Sequence, residues 1–100
     1  VPRVDITDYS PEWDFTTGGQ KVIFVLGQDT RAFYIFTIIE RKFEVSFGES
    51  LVSCKFVQAG VIKCYAPPHE TGFVPLHLLY DGEICSGPPV DFEFRSQVPK

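Results

Sequence analysis

The stretch from Gly60 to Cys85, GVIKCYAPPHETGFVPLHLLYDGEIC, decides how this chain folds. Gly60 opens a β-rich run from Val61 to Ala66, and Pro67-Pro68 close it, because proline cannot donate to a strand ladder and favours turns. Side chains on a strand alternate between faces, so Ile62, Cys64 and Ala66 share one face while Val61 and Tyr65 share the other. A second run, Phe73 to Tyr80, is broken by Asp81-Gly82, the strongest short hairpin signal in the chain. Ile84 and Cys85 begin its return.

Turn residues recur every eight to twelve positions on both sides of this stretch, the spacing of an antiparallel sandwich or barrel. Upstream, Val4, Ile6 and Tyr9 are the apolar members of a first strand closed by Ser10-Pro11. Trp13, Asp14 and Phe15 lead to a Gly18-Gly19 turn. Lys21 to Leu26 reads as a strand ended by Gly27. Phe43, Val45 and Phe47 alternate with Glu44 and Ser46 up to Gly48, the pattern of a half-buried strand. Leu51 to Val57 reads as one or two short strands. Downstream, Gly87-Pro88-Pro89 interrupt the chain, and Val90, Phe92 and Phe94 alternate with Asp91, Glu93 and Arg95 in a last strand. No sustained 3.6-residue period appears, so no long helix is expected. The expected fold class is all-β, an immunoglobulin-like β-sandwich of about seven or more antiparallel strands. Residues 1–95 form one domain in this reading, and 96–100 begin a linker.

Composition narrows the function classes. The chain has 100 residues, 44% of them hydrophobic, and a net charge of −4. That length supports one core, and the aromatic content does not fit a disordered tail. No apolar run is long enough to cross a membrane as a helix. With no methionine and no signal-peptide pattern, the chain reads as a domain cut from a longer protein. The acidic balance argues against a free-standing nucleic-acid binder. Arg41-Lys42 is the one adjacent basic pair and the candidate phosphate contact. The three cysteines are an odd number and there is no asparagine for a glycosylation sequon, which points to an intracellular, thiol-reducing compartment.

Catalytic constellations are few. Cys64 and His69 invite a nucleophile reading, yet Cys64 falls on the core face of its strand and His69 follows two prolines in an expected exposed loop. A zinc site needs about four ligands at recurring spacings, and His69, His77 and three scattered cysteines give none. Gly18-Gly19 lacks the lysine and helix of a phosphate loop. The chain is expected to be no enzyme and to hold no cofactor or metal.

An interaction surface is the better candidate. Val22, Phe24 and Leu26 can face a core, yet Ile23 and Val25 on the other side of that strand are apolar too. Val61 and Tyr65 likewise lie opposite Ile62 and Cys64. Burying both faces requires a partner or a loop folded over the sheet, so Ile23, Val25, Val61 and Tyr65 are the candidate dimer or partner face. The run Phe33 to Ile39 combines high β-propensity with no charge and no proline. It reads either as a buried central strand or as a strand exchanged between chains, with Arg31, Glu40, Arg41 and Lys42 as charged gatekeepers.

The series Ile6-Thr7-Asp8-Tyr9-Ser10-Pro11, Gly18-Gly19, Val22 to Gly27, Phe47-Gly48, Ile62 to His69 and Phe92-Glu93-Phe94 resembles the IPT/TIG domain, an immunoglobulin-like module of plexins and transcription factors. Ser10-Pro11-Glu12-Trp13 and Gly60 to Val74 are most similar to the version in calmodulin-binding transcription activators. That resemblance implies a nuclear transcription regulator, with a DNA-binding domain before this one and ankyrin repeats and calmodulin-binding motifs after it. Calmodulin would then bind elsewhere, since no basic amphipathic helix is present here. In Rel-like relatives the face of the first, second and fifth strands mediates dimerisation, which coincides with the face named above. DNA would be touched only weakly and nonspecifically. Two other settings remain open. A receptor ectodomain predicts a disulfide among Cys54, Cys64 and Cys85, and an accessory domain of a carbohydrate-active enzyme needs an aromatic platform, for which Trp13 and Phe15 are the candidates.

Overall fold

The computed structural model describes residues 3–27 and 40–97. The apolar run Phe33 to Ile39 lies outside the described residues. Among the described residues ten strands form two sheets: β1 (Asp5–Ser10), β2 (Trp13–Phe15), β3 (Lys21–Gly27), β4 (Phe43–Phe47), β5 (Ser50–Ser53), β6 (Lys55–Gln58), β7 (Val61–Tyr65), β8 (Gly72–Tyr80), β9 (Glu83–Ile84) and β10 (Val90–Arg95). One sheet has the order β1-β3-β7-β6. The other has the order β2-β10-β8-β4-β5, with β9 added beside β8. Among the described residues the only helical element is a 3₁₀ turn, Glu40–Lys42.

Alternation builds the space between the sheets. Val22, Phe24 and Leu26 from β3 and Ile62 and Cys64 from β7 are buried against Val45, Phe47, Leu76, Leu78, Phe92 and Phe94. Aromatic side chains dominate the middle: Phe47 meets Phe92 edge-on at 5.0 Å, and Phe92 meets Phe94 at 5.2 Å. Truncating one such ring costs about 3–5 kcal/mol, because the cavity left behind relaxes only partly. Asp81 (φ 54°) and Gly82 (φ 84°) both take left-handed backbone at the β8–β9 turn. Two successive positive φ angles match the twist of the flanking strands, and aspartate followed by glycine adopts them readily.

The weak stretch Leu51 to Val57 resolves into two strands on different sheets. The chain changes sheet at Cys54, which is buried and donates its N–H to the Phe43 carbonyl at 3.4 Å. Both strands are sheet edges, so their side chains are mostly exposed and their pattern is blurred. Two expectations need correction. Trp13 to Phe15 is a strand rather than a lead-in to a turn, and it pairs with β10 in parallel, not antiparallel. The chain enters β2 from β1 on the opposite sheet and leaves it for β3 there, so no hairpin joins β2 to β10 and the parallel direction is open to the pair. His69 does sit in a loop, but its side chain is only 14% exposed, not free in solvent.

Turn 15–20 ties that loop down. Asp14 is buried and accepts from the N–H groups of Phe15 (2.7 Å) and Gln20 (3.0 Å). Gly19 N–H donates to the Ala66 carbonyl at 2.8 Å and His69 N–H to the Thr16 carbonyl at 3.0 Å. Gly18 lies so close to the Ala66–Pro67 backbone that a Cβ there would fall 2.6 Å from the Pro67 carbonyl carbon.

Candidate functional site

Register brings the four residues of the expected partner face together. Val25 is opposite Val61, Ile23 opposite Lys63, and Lys21 opposite Tyr65. Directly opposed residues of an antiparallel pair project from the same side of the sheet, so all six lie on the outer face of the four-stranded sheet. Val25 is 40% exposed and Tyr65 55% exposed, whereas Ile23 and Val61 are half-buried by their neighbours. On the flanking strands, Asp8 is opposite Val25 on β1, while Lys55 and Gln58 are opposite Lys63 and Val61 on β6. The face is therefore apolar in the middle, acidic along β1 and basic along β7 and β6.

Arg41 and Lys42 belong to the 3₁₀ turn that leads into β4. Arg41 is exposed. Lys42 lies 3.8 Å from an Asp81 carboxylate oxygen, and Lys55 lies 3.7 Å from Glu40. Glu40 also accepts from the Phe56 N–H at 2.7 Å, which occupies a backbone donor of edge strand β6. Lys42 and Lys55 thus have carboxylate partners within the domain.

The outer face of the six-stranded sheet holds a second cluster. Glu93 is opposite Phe73 on β8 and beside Trp13 on β2, so one row across three strands reads Trp13, Glu93, Phe73. Phe73 is 70% exposed. The Arg95 guanidinium lies 4.1 Å over the Trp13 ring and donates to Glu93 at 2.9 Å. Tyr9 closes one side, its hydroxyl donating to the Asp91 carbonyl. Burial pushes the Tyr9 phenol above its ordinary pKa, and the negative charges of Glu12 and Asp91 push it the same way. The sequence names Trp13 and Phe15 as candidates for an aromatic platform and gives Phe73 only a place at the start of a strand. The missed signal is parity: Phe73 and Pro75 fall on the opposite face from Val74 and Leu76, just as Glu93 and Arg95 do from Phe92 and Phe94.

The thiols lie inside. Cys54, Cys64 and Cys85 are all buried and unbridged. Burial pushes Cys54 up to about 12 and Cys85 to about 11, and raises Cys64 further still. Thiols held protonated in this way are poor nucleophiles and poor metal ligands. Among the described residues no three His, Cys, Asp or Glu side chains are grouped to hold a metal ion, and no helix is long and apolar enough to cross a membrane. His77 stands half-buried on the outer side of β8 opposite Ser46, which the flanking His77 and Leu51 cover.

Two face-to-face sheets with an aromatic core, and chemistry confined to the outer faces, define an immunoglobulin-like β-sandwich domain. The chain belongs to the IPT/TIG domain family, whose model matches residues 5–94. It is 36% identical over 93 residues to calmodulin-binding transcription activator 2 of Homo sapiens, covering 92% of this chain and 7% of that protein. It is 34% identical over 94 residues to calmodulin-binding transcription activator 5 of Arabidopsis thaliana, covering 92% of this chain and 10% of the relative. Calmodulin-binding transcription activator 3 of the same plant matches at 29% over 90 residues, with 90% and 8% covered. The chain thus spans about a tenth or less of the relatives it matches.

Proposed function

We propose that this domain is a non-catalytic protein-interaction module of a nuclear transcription regulator, and that it self-associates through the outer face of the four-stranded sheet. One observation carries the reading: Ile23, Val25, Val61 and Tyr65, apolar on the wrong side of their strands, lie side by side across β3 and β7. Similarity to transcription activators supplies the setting. Calmodulin, named for those relatives, is assigned to another part of the full-length protein, because it takes amphipathic helices and the described residues offer only a 3₁₀ turn.

The face is self-complementary about a two-fold axis running along the strands between β3 and β7. That operation lays β3 of one copy over β7 of the other, setting Val25 against Val61 and Lys21 against the Tyr65 ring. It also carries the acidic β1 edge with Asp8 over the basic β6 edge with Lys55. Isologous contacts of this kind close as dimers. Four strands about 4.8 Å apart and about five residues long give a flat face of roughly 300 Å², well short of the ~800 Å² per partner of stable complexes. The dimer is therefore weak, and in the full-length protein it gains from being tethered. Arg41 and Lys42 add at most nonspecific support to DNA contacts made by other domains.

Sedimentation velocity across a concentration series tests the reading. A monomer–dimer equilibrium in the micromolar range is expected, and Tyr65→Glu shifts it to monomer with an unchanged circular dichroism spectrum. A monomer at every concentration into the high micromolar range overturns it.

A further inference from the structure

We propose that the groove on the outer face of the six-stranded sheet, around Trp13, Glu93 and Phe73, docks a short basic, proline-containing segment of a partner protein in extended conformation. The groove measures about 690 Å³, within the range of about 300–1,000 Å³ typical of ligand-binding clefts. It lies on the sheet opposite to the self-association face, so both can be occupied at once.

The walls select the backbone. Tyr9, Trp13, Phe73 and Pro89 line the groove, and Phe73 stands 70% exposed on a strand whose other face is core. Aromatic-lined grooves take proline-rich segments because the extended polyproline conformation is preformed and its rings lie flat on aromatic faces.

The rim selects the charge. Glu12, Asp91 and Glu93 contribute three carboxylates, against which the lining sets a single cation, Arg95. That cation is already engaged by Glu93 and the Trp13 ring. Three negative charges less one positive leave a local excess of two, which favours arginine or lysine on the incoming segment and repels an acidic one. The Arg95 guanidinium on Trp13 displays the mode of contact, a planar cation over an aromatic face, and Phe73 offers a second ring with no cation over it among the described residues. The same contact argues against a sugar ligand, since the guanidinium covers the indole face that a sugar ring would stack on.

A fluorescein-labelled peptide of arginine-proline-proline repeats, titrated against the domain by fluorescence anisotropy, tests this. Saturable binding that weakens with added salt is expected. Phe73→Ser should weaken it at least about fivefold, as loss of an interface aromatic does, and Glu93→Gln should weaken it while Tyr65→Glu leaves it unchanged. Phe73 and Glu93 lie outside the core, and circular dichroism verifies that both variants fold. No saturable binding, equal binding of a peptide with glutamate in place of arginine, indifference to Phe73→Ser, or binding of a maltooligosaccharide at this groove in its stead would overturn the proposal.

Discussion

The imidazole of His69 lies flat on the ring of Phe94, with centroids 5.0 Å apart and planes 17° from parallel. Its Nδ1–H donates to the Glu70 carbonyl at 3.1 Å. Its Nε2 is 3.2 Å from a Glu49 carboxylate oxygen, at an angle that makes no hydrogen bond. Phe94 is fully buried, so this histidine is the lid of the aromatic core at that end of the sandwich. The stacking matters more than the ion contact, because the Glu49 side chain is 84% exposed. His69→Ala should therefore cost about 2 kcal/mol in urea unfolding, whereas Glu49→Gln should change stability by less than about 0.5 kcal/mol. Equal effects from the two variants would mean that the carboxylate, not the ring, holds the loop.

Gly18 and Gly19 make a matched pair for testing why turn 15–20 is built from glycine. Both have positive φ, 71° and 95°. A Cβ on Gly18 would meet the Ala66–Pro67 backbone at 2.6 to 2.7 Å, whereas one on Gly19 would have nothing within 4 Å. Gly19→Ala should cost about 1 kcal/mol from backbone strain alone. Gly18→Ala should cost at least about twice that and loosen the loop that carries His69. Hydrogen exchange at the Gly19 and His69 amides, which bond to Ala66 and Thr16, would report the loosening directly.

These two sites show where legibility stops. Alternation in Phe43 to Phe47 and Val90 to Arg95 settles which side chains face inward, since strand geometry is local and period two admits no other core face. Asp81-Gly82 is legible for the same reason, as its turn is specified by two adjacent residues. The fate of His69 depends instead on Phe94, twenty-five positions away in the chain, and on Gly48, beneath its ring. The apolar outer face of β3 and β7 was legible because its residues break the alternation within single strands. The Trp13–Glu93–Phe73 row was not, because it exists only across three strands, one of them parallel. Even Leu51 to Val57 follows this logic: edge strands bury little, so their pattern carries little signal.

The buried thiols set an alkaline limit on stability. A free cysteine has a reference pKa of 9.0, whereas burial raises Cys54 to about 12 and Cys85 to about 11, and Cys64 moves in the same direction. Below about pH 9 each thiol is protonated in both folded and unfolded chains, so their contribution is constant. Above that, the unfolded chain loses protons that the folded one retains, and stability falls as pH rises, by up to about 1.4 kcal/mol per pH unit per thiol. The fall from Cys85 levels off near pH 11. Urea midpoints at pH 8, 9 and 10 should show it, and Cys85→Ala should flatten it. A disulfide reagent at pH 8 should find no fast-reacting thiol in the native protein and three after unfolding. Fewer than three would signal a disulfide and favour an extracellular setting.

The geometry of self-association can be tested by exchanging charges across it. With the two-fold axis along β3 and β7, Asp8 of one copy comes over the Gln58 row of the other, and Lys55 lies one residue pair further along the same β6 edge, within side-chain reach. The Lys55 ammonium is exposed, and its partner within the domain, Glu40, is 3.7 Å away. Such surface pairs are worth about 0.2–1 kcal/mol, so Asp8→Lys should weaken the dimer roughly two- to fivefold, as should Lys55→Glu. The double variant restores opposite charges across the interface and should recover most of the lost affinity. The recovery should shrink in high salt, because exposed charges are screened within about 8–10 Å at physiological ionic strength. An axis perpendicular to the strands would instead bring Asp8 over the β1 edge and Lys55 over the β6 edge of the second copy, where exchanging the two charges pairs no opposite signs and the double variant would recover nothing. Recovery of affinity in the double variant, read by sedimentation equilibrium, therefore separates the two arrangements.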